Sequence, residues 1–153
     1  MEEGLMLLVV ADGAGDEHLT GPGHPERPER IDAALAGIDD ARLEDTVTWM
    51  QPRPARRDEL LAVHDAAYLD ELEAFCRAGG GPLDPDTTVS SGSWRTAHLA
   101  AGAGLVAVDA LSAGAGDAAF VVARPPGHHA LPSRGMGFCL LNNVAVAAAA
   151  LAQ

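Results

Sequence analysis

Two histidines, His128 and His129, stand side by side directly after Pro125, Pro126 and Gly127, in the stretch RPPGHHALPSRGMGFCLLNN. Adjacent side chains on a strand point to opposite faces, so a strand would send only one ring into a given cavity. A turn lifts that constraint. Proline fixes φ and glycine permits unusual angles, so both rings can be held toward one pocket. An imidazole with its ordinary pKa of about 6.5 can take a proton from water and return it to a leaving group near neutral pH. Two neighbouring rings can divide those roles, or one can stay charged as an electrostatic stabiliser. Each would need a carboxylate on its far nitrogen to fix tautomer and basicity. No Asp-x-His or His-x-x-Glu spacing near the pair supplies one.

Gly137-Phe138-Cys139 follows shortly after. Glycine lets a backbone or a substrate approach closely, and phenylalanine offers an apolar wall; together they can line a narrow slot for an aliphatic chain. The competing reading is a glycine cap with Phe138 in the core. Cys139 raises a Cys–His nucleophile, but an apolar helical setting suits a buried, inert thiol better. His64 ends a short apolar helix and His98 lies inside a long one, so both are expected to be structural. His18 and His24 fall on a loop and can reach a pocket rim. Asp84 and Asp86 can accept hydrogen bonds from a substrate backbone or amine, or serve as ordinary turn residues.

The elements that must position these groups alternate between strand and helix. Leu5–Val10 is an apolar run bounded by Gly4 and Asp12-Gly13, which reads as a strand buried on both faces. Residues 13–23 read as loop. Pro25–Asp40 is predicted as a helix with prolines at its start and Ile31, Ala34, Leu35 and Ile38 at helical spacing. A second strand is expected at Thr46–Met50. Two short helices follow at Asp58–His64 and Ala66–Arg77, then a break at Gly79–Pro82 and a loop at Leu83–Thr88. A long helix is expected over Ser90–Ser112 and a third strand over Ala118–Val122, running into the histidine turn. Gly137–Gln153 reads as a last helix. Strands separated by helices mean βαβ units and a mostly parallel sheet. Ligands in such sheets sit at the carboxyl ends of strands, where the histidine pair falls.

The totals narrow the functional classes. The chain has 153 residues, 48% of them hydrophobic, enough for one domain with a real core. No apolar run reaches the roughly 18 residues a membrane span needs, and the acidic start MEEG is unlike a signal peptide. A cytoplasmic protein with no membrane partner is expected. The two cysteines lack CxxC spacing, which gives neither a disulfide framework nor a thiolate zinc site. A net charge of -12 argues against nucleic acid. It suits a cationic partner such as a polyamine or a lysine-rich tail, or it confers solubility alone. All ten basic residues are arginine, a composition typical of a GC-rich bacterial genome.

RPPGHHA followed by GFCLLNNVAVAA, with GPGHPERPERI (Gly21–Ile31), ELLAVHDAAYLDELE (Glu59–Glu73) and GGGPLDPDTTVSSGSW (Gly79–Trp94), resembles the histone deacetylase family in order and over most of the chain. That family includes acetylpolyamine amidohydrolases and acetoin-utilisation proteins. The resemblance implies a three-layer α/β/α sandwich, the arginase/deacetylase fold, around a mostly parallel sheet, with residues 1–153 forming the amino-terminal part of one domain and about three of its strands. It implies hydrolysis of an acetyl amide, from acetyl-lysine or an acetylpolyamine, with one Zn²⁺ ion in the complete enzyme. Carried onto this chain, His129 resembles the general base and acid and His128 its electrostatic neighbour. Phe138 resembles one wall of the acyl-lysine tunnel, with Gly137 presenting its backbone beside it. Arg27 resembles a basic residue near the internal channel for acetate release. Asp84 to Ser91 lies where the family's rim meets the substrate backbone, although Ser91 stands where the bacterial pattern usually has proline.

One departure is large. The family's zinc ligands come from an Asp-x-His step on the next strand and a later aspartate, and its tyrosine and paired carboxylates also lie downstream. None of these occurs here, and Tyr68, the single tyrosine, belongs to an early helix. The expectation is therefore an amino-terminal half with no zinc ligands, inactive alone, completed by a carboxyl-terminal half or persisting as a non-catalytic binding subunit. An unpaired edge on the third strand would favour self-association into a homo-oligomer.

Overall fold

The structure, a computed structural model, describes residues 5–11, 16–43 and 45–153. Gly4, Asp12 and Gly13, expected to bound the first strand, lie outside the described residues, as does the start of the predicted 13–23 loop. Leu7–Ala11 forms β1, in which Leu8, Val9 and Val10 are fully buried. A strand covered on both faces is what an uninterrupted apolar run is suited to. β1 pairs in parallel with β2 (Val47–Met50) on one side and with β5 (Ala118–Val122) on the other, giving the order β2-β1-β5. Leu7 stands opposite both Val47 and Ala118.

Helices cover both faces of this sheet. Val9, Ala11 and Val122 pack against Ile31, Ala34, Leu35 and Ile38 of α1 (Glu29–Asp40). Val10, Ala119 and Val121 face Ala103, Val106 and Ala107 of α4 (Ser93–Ser112). Alternate residues of each strand thus reach opposite layers, and α1, sheet and α4 form an α/β/α stack. The largest core cluster lies beyond α4. There α2 (Arg57–Leu61), α3 (Ala66–Arg77) and α5 (Asn143–Leu151) bury Leu60, Leu69, Leu72 and Val146 around Ala97, Ala101 and Leu105. Gly104 lets α5 come close, since a Cβ there would stand 3.3 Å from that of Ala147. Among the described residues no helix is long and apolar enough to cross a membrane.

Several boundaries differ from the sequence reading. Helix α1 starts at Glu29, not Pro25, because residues 25–28 form a loop whose Glu26 is drawn into the interior. Helix α2 is shorter than expected, and residues 62–65 turn so that His64 faces inward. A hairpin of β3 (Gly80–Pro82) and β4 (Thr88–Ser90) occupies a region read as a break and a loop, and it takes Ser90 away from α4. Helix α5 starts at Asn143 instead of Gly137, since Gly137 and Phe138 both have positive φ and cannot continue a helix.

Candidate active site

Two loops meet at the carboxyl edge of the sheet. One follows β1 and carries His18, His24 and Glu26; the other follows β5 and carries Arg124 and the histidine turn. The Arg124–Pro125 peptide is cis. The Asn142-Asn143 pair locks the turn to α5. Asn143 Nδ2 donates to Pro125 O (3.3 Å), Val144 N to Gly127 O (3.0 Å) and Asn142 Nδ2 to Ala130 O (3.0 Å). Asn142 Oδ1 accepts from Ala145 N at 3.0 Å as the N-cap.

Between the loops lies a pocket of about 550 Å³ that brings together His128, His129, Gly137, Phe138 and Asp86, with Glu26 and Arg30 also in its wall. Both imidazoles are exposed, with ring centroids 4.1 Å apart and planes at 53°. Among the described residues neither ring has a carboxylate or other hydrogen-bonding partner, so both nitrogens of each are open to a ligand. Gly137 makes room for the pair: a Cβ there would stand 2.9 Å from His129 Cδ2.

Phe138 is clamped as a wall. Its backbone is in the left-handed region at φ 68°, and its N–H donates to Thr87 Oγ1 at 3.1 Å. A non-glycine residue held there marks a geometry that the surroundings enforce. His24 meets its ring edge-on at 4.9 Å and 69°. The same His24 accepts from Glu26 N–H at Nδ1 and donates from Nε2 to Asp86 O, both at 3.0 Å. His24 therefore supports the wall without lining the pocket. Asp84 takes the turn role: Oδ1 accepts from Asp86 N (3.1 Å) and Thr87 N (2.7 Å). Burial acts to raise its carboxyl, and these hydrogen bonds outweigh that and hold its pKa below the ordinary value. Arg27, expected near the channel, is exposed with its guanidinium 3.8 Å from Glu29; Arg30, nearly one turn on, is the arginine in the pocket wall.

Cys139 is fully buried beneath the histidine turn. Its Sγ accepts from the backbone N–H of His128 (3.4 Å) and His129 (3.5 Å) and donates to Gly137 O (3.3 Å). That is an anchor, not a nucleophile open to substrate. His64 and His98 are structural. His64 contacts Pro132 O and accepts from Asn142 N, His98 contacts Trp94 O, and burial lowers both pKa values. Tyr68 donates to Leu140 O at 2.7 Å in the core, and burial pushes its pKa up.

Sequence reading missed the buried charge network behind the pocket. Glu26 and Arg124 are 1% and 3% exposed. Arg124 Nε and Nη2 donate to the two carboxylate oxygens at 2.5 and 2.9 Å, and His18, expected on a rim, is buried with Nε2 3.4 Å from Glu26. Burial acts to raise the Glu26 carboxyl, but hydrogen bonds from His18 and Arg124 together bring it down to about 2. The partners lie 98 positions apart, a pairing with no local signature.

Known proteins place this chain in a family. The family model of the histone deacetylase domain matches residues 24–153. The chain belongs to the histone deacetylase family. It is 42% identical over 125 residues to a histone deacetylase-like amidohydrolase of Pseudomonas aeruginosa, covering 82% of this chain and 33% of that protein. It is 38% identical over 135 residues to the human polyamine deacetylase HDAC10, covering 81% of this chain and 19% of that one. The crystal structure of the HDA15 HD domain superposes with a TM-score of 0.87 at 32% identity, over 96% of this chain and 43% of that one. The chain thus spans less than half the length of each of these relatives, and its sheet and helices are part of the α/β deacetylase fold. Among the described residues no group of three His, Cys, Asp or Glu side chains is placed to hold a metal. Two exposed imidazoles are a poor tetrahedral set, so these residues alone do not fit the zinc that deacetylases generally use.

Proposed function

We propose that this chain supplies the proton-transfer and substrate-channel part of a hydrolase that removes acetyl groups from amines. The observation that carries the reading is the pocket joining the His128–His129 pair to the Gly137–Phe138 wall at the carboxyl edge of the sheet. In this reading His129 takes a proton from the attacking water and returns it to the departing amine, leaving acetate and a free amine. His128, with its ring beside that of His129, stabilises the charge that develops. Phe138 lines the slot for the aliphatic stem of the substrate, Gly137 gives it close backbone approach, and Asp86 lies at the rim to meet the substrate's polar end. The zinc ligands would come from a segment other than these residues.

The substrate class is a cationic acetylated amine, acetyl-lysine or acetylpolyamine, supported by the net charge of -12 and by a relative named as a polyamine deacetylase. The proposed setting is the cytoplasm, with no nucleic acid or membrane partner. A second reading, a non-catalytic binding subunit, is favoured by the lack of a three-ligand metal group among the described residues.

The deciding experiment assays acetate release from an acetyl-lysine peptide and from acetylspermidine. It uses the chain alone and the chain co-expressed with a carboxyl-terminal deacetylase segment carrying the Asp-x-His step. Zinc and hydroxamate-sensitive turnover are expected only in the co-expressed form. A co-purified complex holding stoichiometric zinc without turnover would establish the binding-subunit reading instead.

A further inference from the structure

The histidine turn hangs on a side chain about a hundred positions earlier in the chain. Glu26 lies in the loop after β1, yet its carboxylate uses both oxygens on other elements. Oε1 accepts from Arg124 Nε, and Oε2 accepts from Arg124 Nη2 and faces His18 Nε2. Arg124 Nη2 also donates to His18 O at 3.0 Å. His18 Nδ1 meets Ser93 Oγ at 2.6 Å, and that oxygen accepts from Ser90 N–H at 2.8 Å. With Ser93 Oγ taking the Ser90 proton, its own proton can go to His18 Nδ1, which leaves His18 Nε2–H for Glu26. The network thereby ties together the loop after β1, the start of α4 and the end of β5. It is the buried charge cluster of the site, and Glu26 itself forms part of the pocket wall with His128 and His129.

Arg124 stands four residues before His128; the two prolines between them fix φ at their positions, and Val144 N–H holds the Gly127 carbonyl, so the turn has little freedom. Fixing the guanidinium in position and plane therefore fixes where the rings begin. A bidentate fork does both, whereas a point charge fixes only a distance. Resting on the proposed deacetylase reading, we propose that Glu26 and Arg124 are positioning residues whose forked pairing sets the placement of the His128–His129 pair in the pocket. The remaining charged and titratable neighbours of the pocket are Arg30, whose Nη1 is 3.7 Å from Glu26, Asp86 in its wall and His24 behind Phe138. All three reach solvent to some degree, and none is joined to the histidine turn as Arg124 is.

The test is Arg124→Lys, which keeps the buried charge pair and removes the fork. Imidazole proton and nitrogen resonances of His128 and His129 are recorded on the 153-residue chain, beside its thermal melting. The expected result is a folded chain, melting within several degrees of the parent, whose two imidazole signals are displaced and broadened while those of His64 and His98 stay put. In a catalytically active assembly the same variant is expected to lower kcat at least tenfold with KM within about twofold. Unchanged His128 and His129 signals in folded Arg124→Lys overturn the proposal. If that variant does not fold, Glu26→Asp replaces it with the same expected and contradicting signals; failure of both to fold would show a purely structural pair and equally overturn the positioning role. The resonances do not depend on turnover. Displaced signals in an assembly that never releases acetate would therefore sink the deacetylase reading and leave the positioning role standing.

Discussion

Cys139 shows how a reactive residue type can be turned to holding geometry. Its thiol accepts from two backbone N–H groups, those of the histidines that face the pocket. Cys139→Ser keeps an acceptor and should preserve both the turn and any activity. Cys139→Ala strands the two donors, at a cost on the order of 1–3 kcal/mol for an unsatisfied buried group. Denaturant unfolding of the two variants checks this: the alanine form should lose clearly more stability than the serine form. Loss of function in Cys139→Ser with His129→Ala still active would revive the nucleophile. Gly137→Ala is harmful for two reasons. Its φ of +58° disfavours a Cβ, and the added methyl meets His129 Cδ2 at 2.9 Å. It should shift the His129 ring resonances without unfolding the chain. At this scale the gathering of the histidines, Gly137 and Phe138 around one pocket was legible because they lie close together in sequence. The Glu26–Arg124 pair was not, because nothing near either residue announces the other. Asn142-Asn143, by contrast, was a readable N-cap signal before an apolar run that the longer helix reading passed over.

Elements with strong periodic or continuous apolar patterns came through well. β1, β5, α3 and most of α4 follow from where Leu, Val and Ala recur. The β3–β4 hairpin did not, since its strands are three residues each and one is mostly glycine. The start of α5 was misplaced because a glycine and a phenylalanine in positive φ look, in sequence, like a helix entrance. Strand β5 has consequences of its own. One edge pairs with β1, and among the described residues no strand pairs with the other. Grooves of about 490 and 160 Å³ flank that side, with Val121 and Ala123 in both and Phe120 48% exposed in the smaller. Open apolar edges invite pairing with another chain. The isolated chain should therefore associate as concentration rises, and Phe120→Lys should return it to a monomer by placing a charge on the edge. Size-exclusion chromatography with light scattering reads this directly. A sharp monomer at all concentrations, with β5 amides fully protected from exchange, would contradict it.

Across the whole molecule, the buried titratable groups set how the chain responds to acid. His64 and His98 have folded pKa values lowered by burial from the ordinary 6.5, so the unfolded chain binds their protons first and stability begins to fall as pH drops below that value. Glu26 has a folded pKa of about 2 against an ordinary 4.5. Its contribution is present above 4.5 and is lost as pH falls toward 2. Denaturant midpoints should decline in two stages; His64→Gln should shrink the first, which it shares with His98, and Glu26→Gln should shrink the second. Midpoints that are flat from pH 7 to 3 in the parent chain would contradict this assignment.

The central claim is that His129 is the proton-transfer group of an acetyl-amide hydrolase. The most direct test is the rate of acetate release from an acetyl-lysine peptide by the assembled, zinc-loaded complex, measured for the parent and for His129→Ala. General acid–base catalysis contributes typically 10²- to 10⁴-fold. A fall of at least a hundredfold, with zinc content unchanged, is the expected result. Turnover within a few-fold of the parent in a folded, zinc-loaded His129→Ala complex would contradict the account.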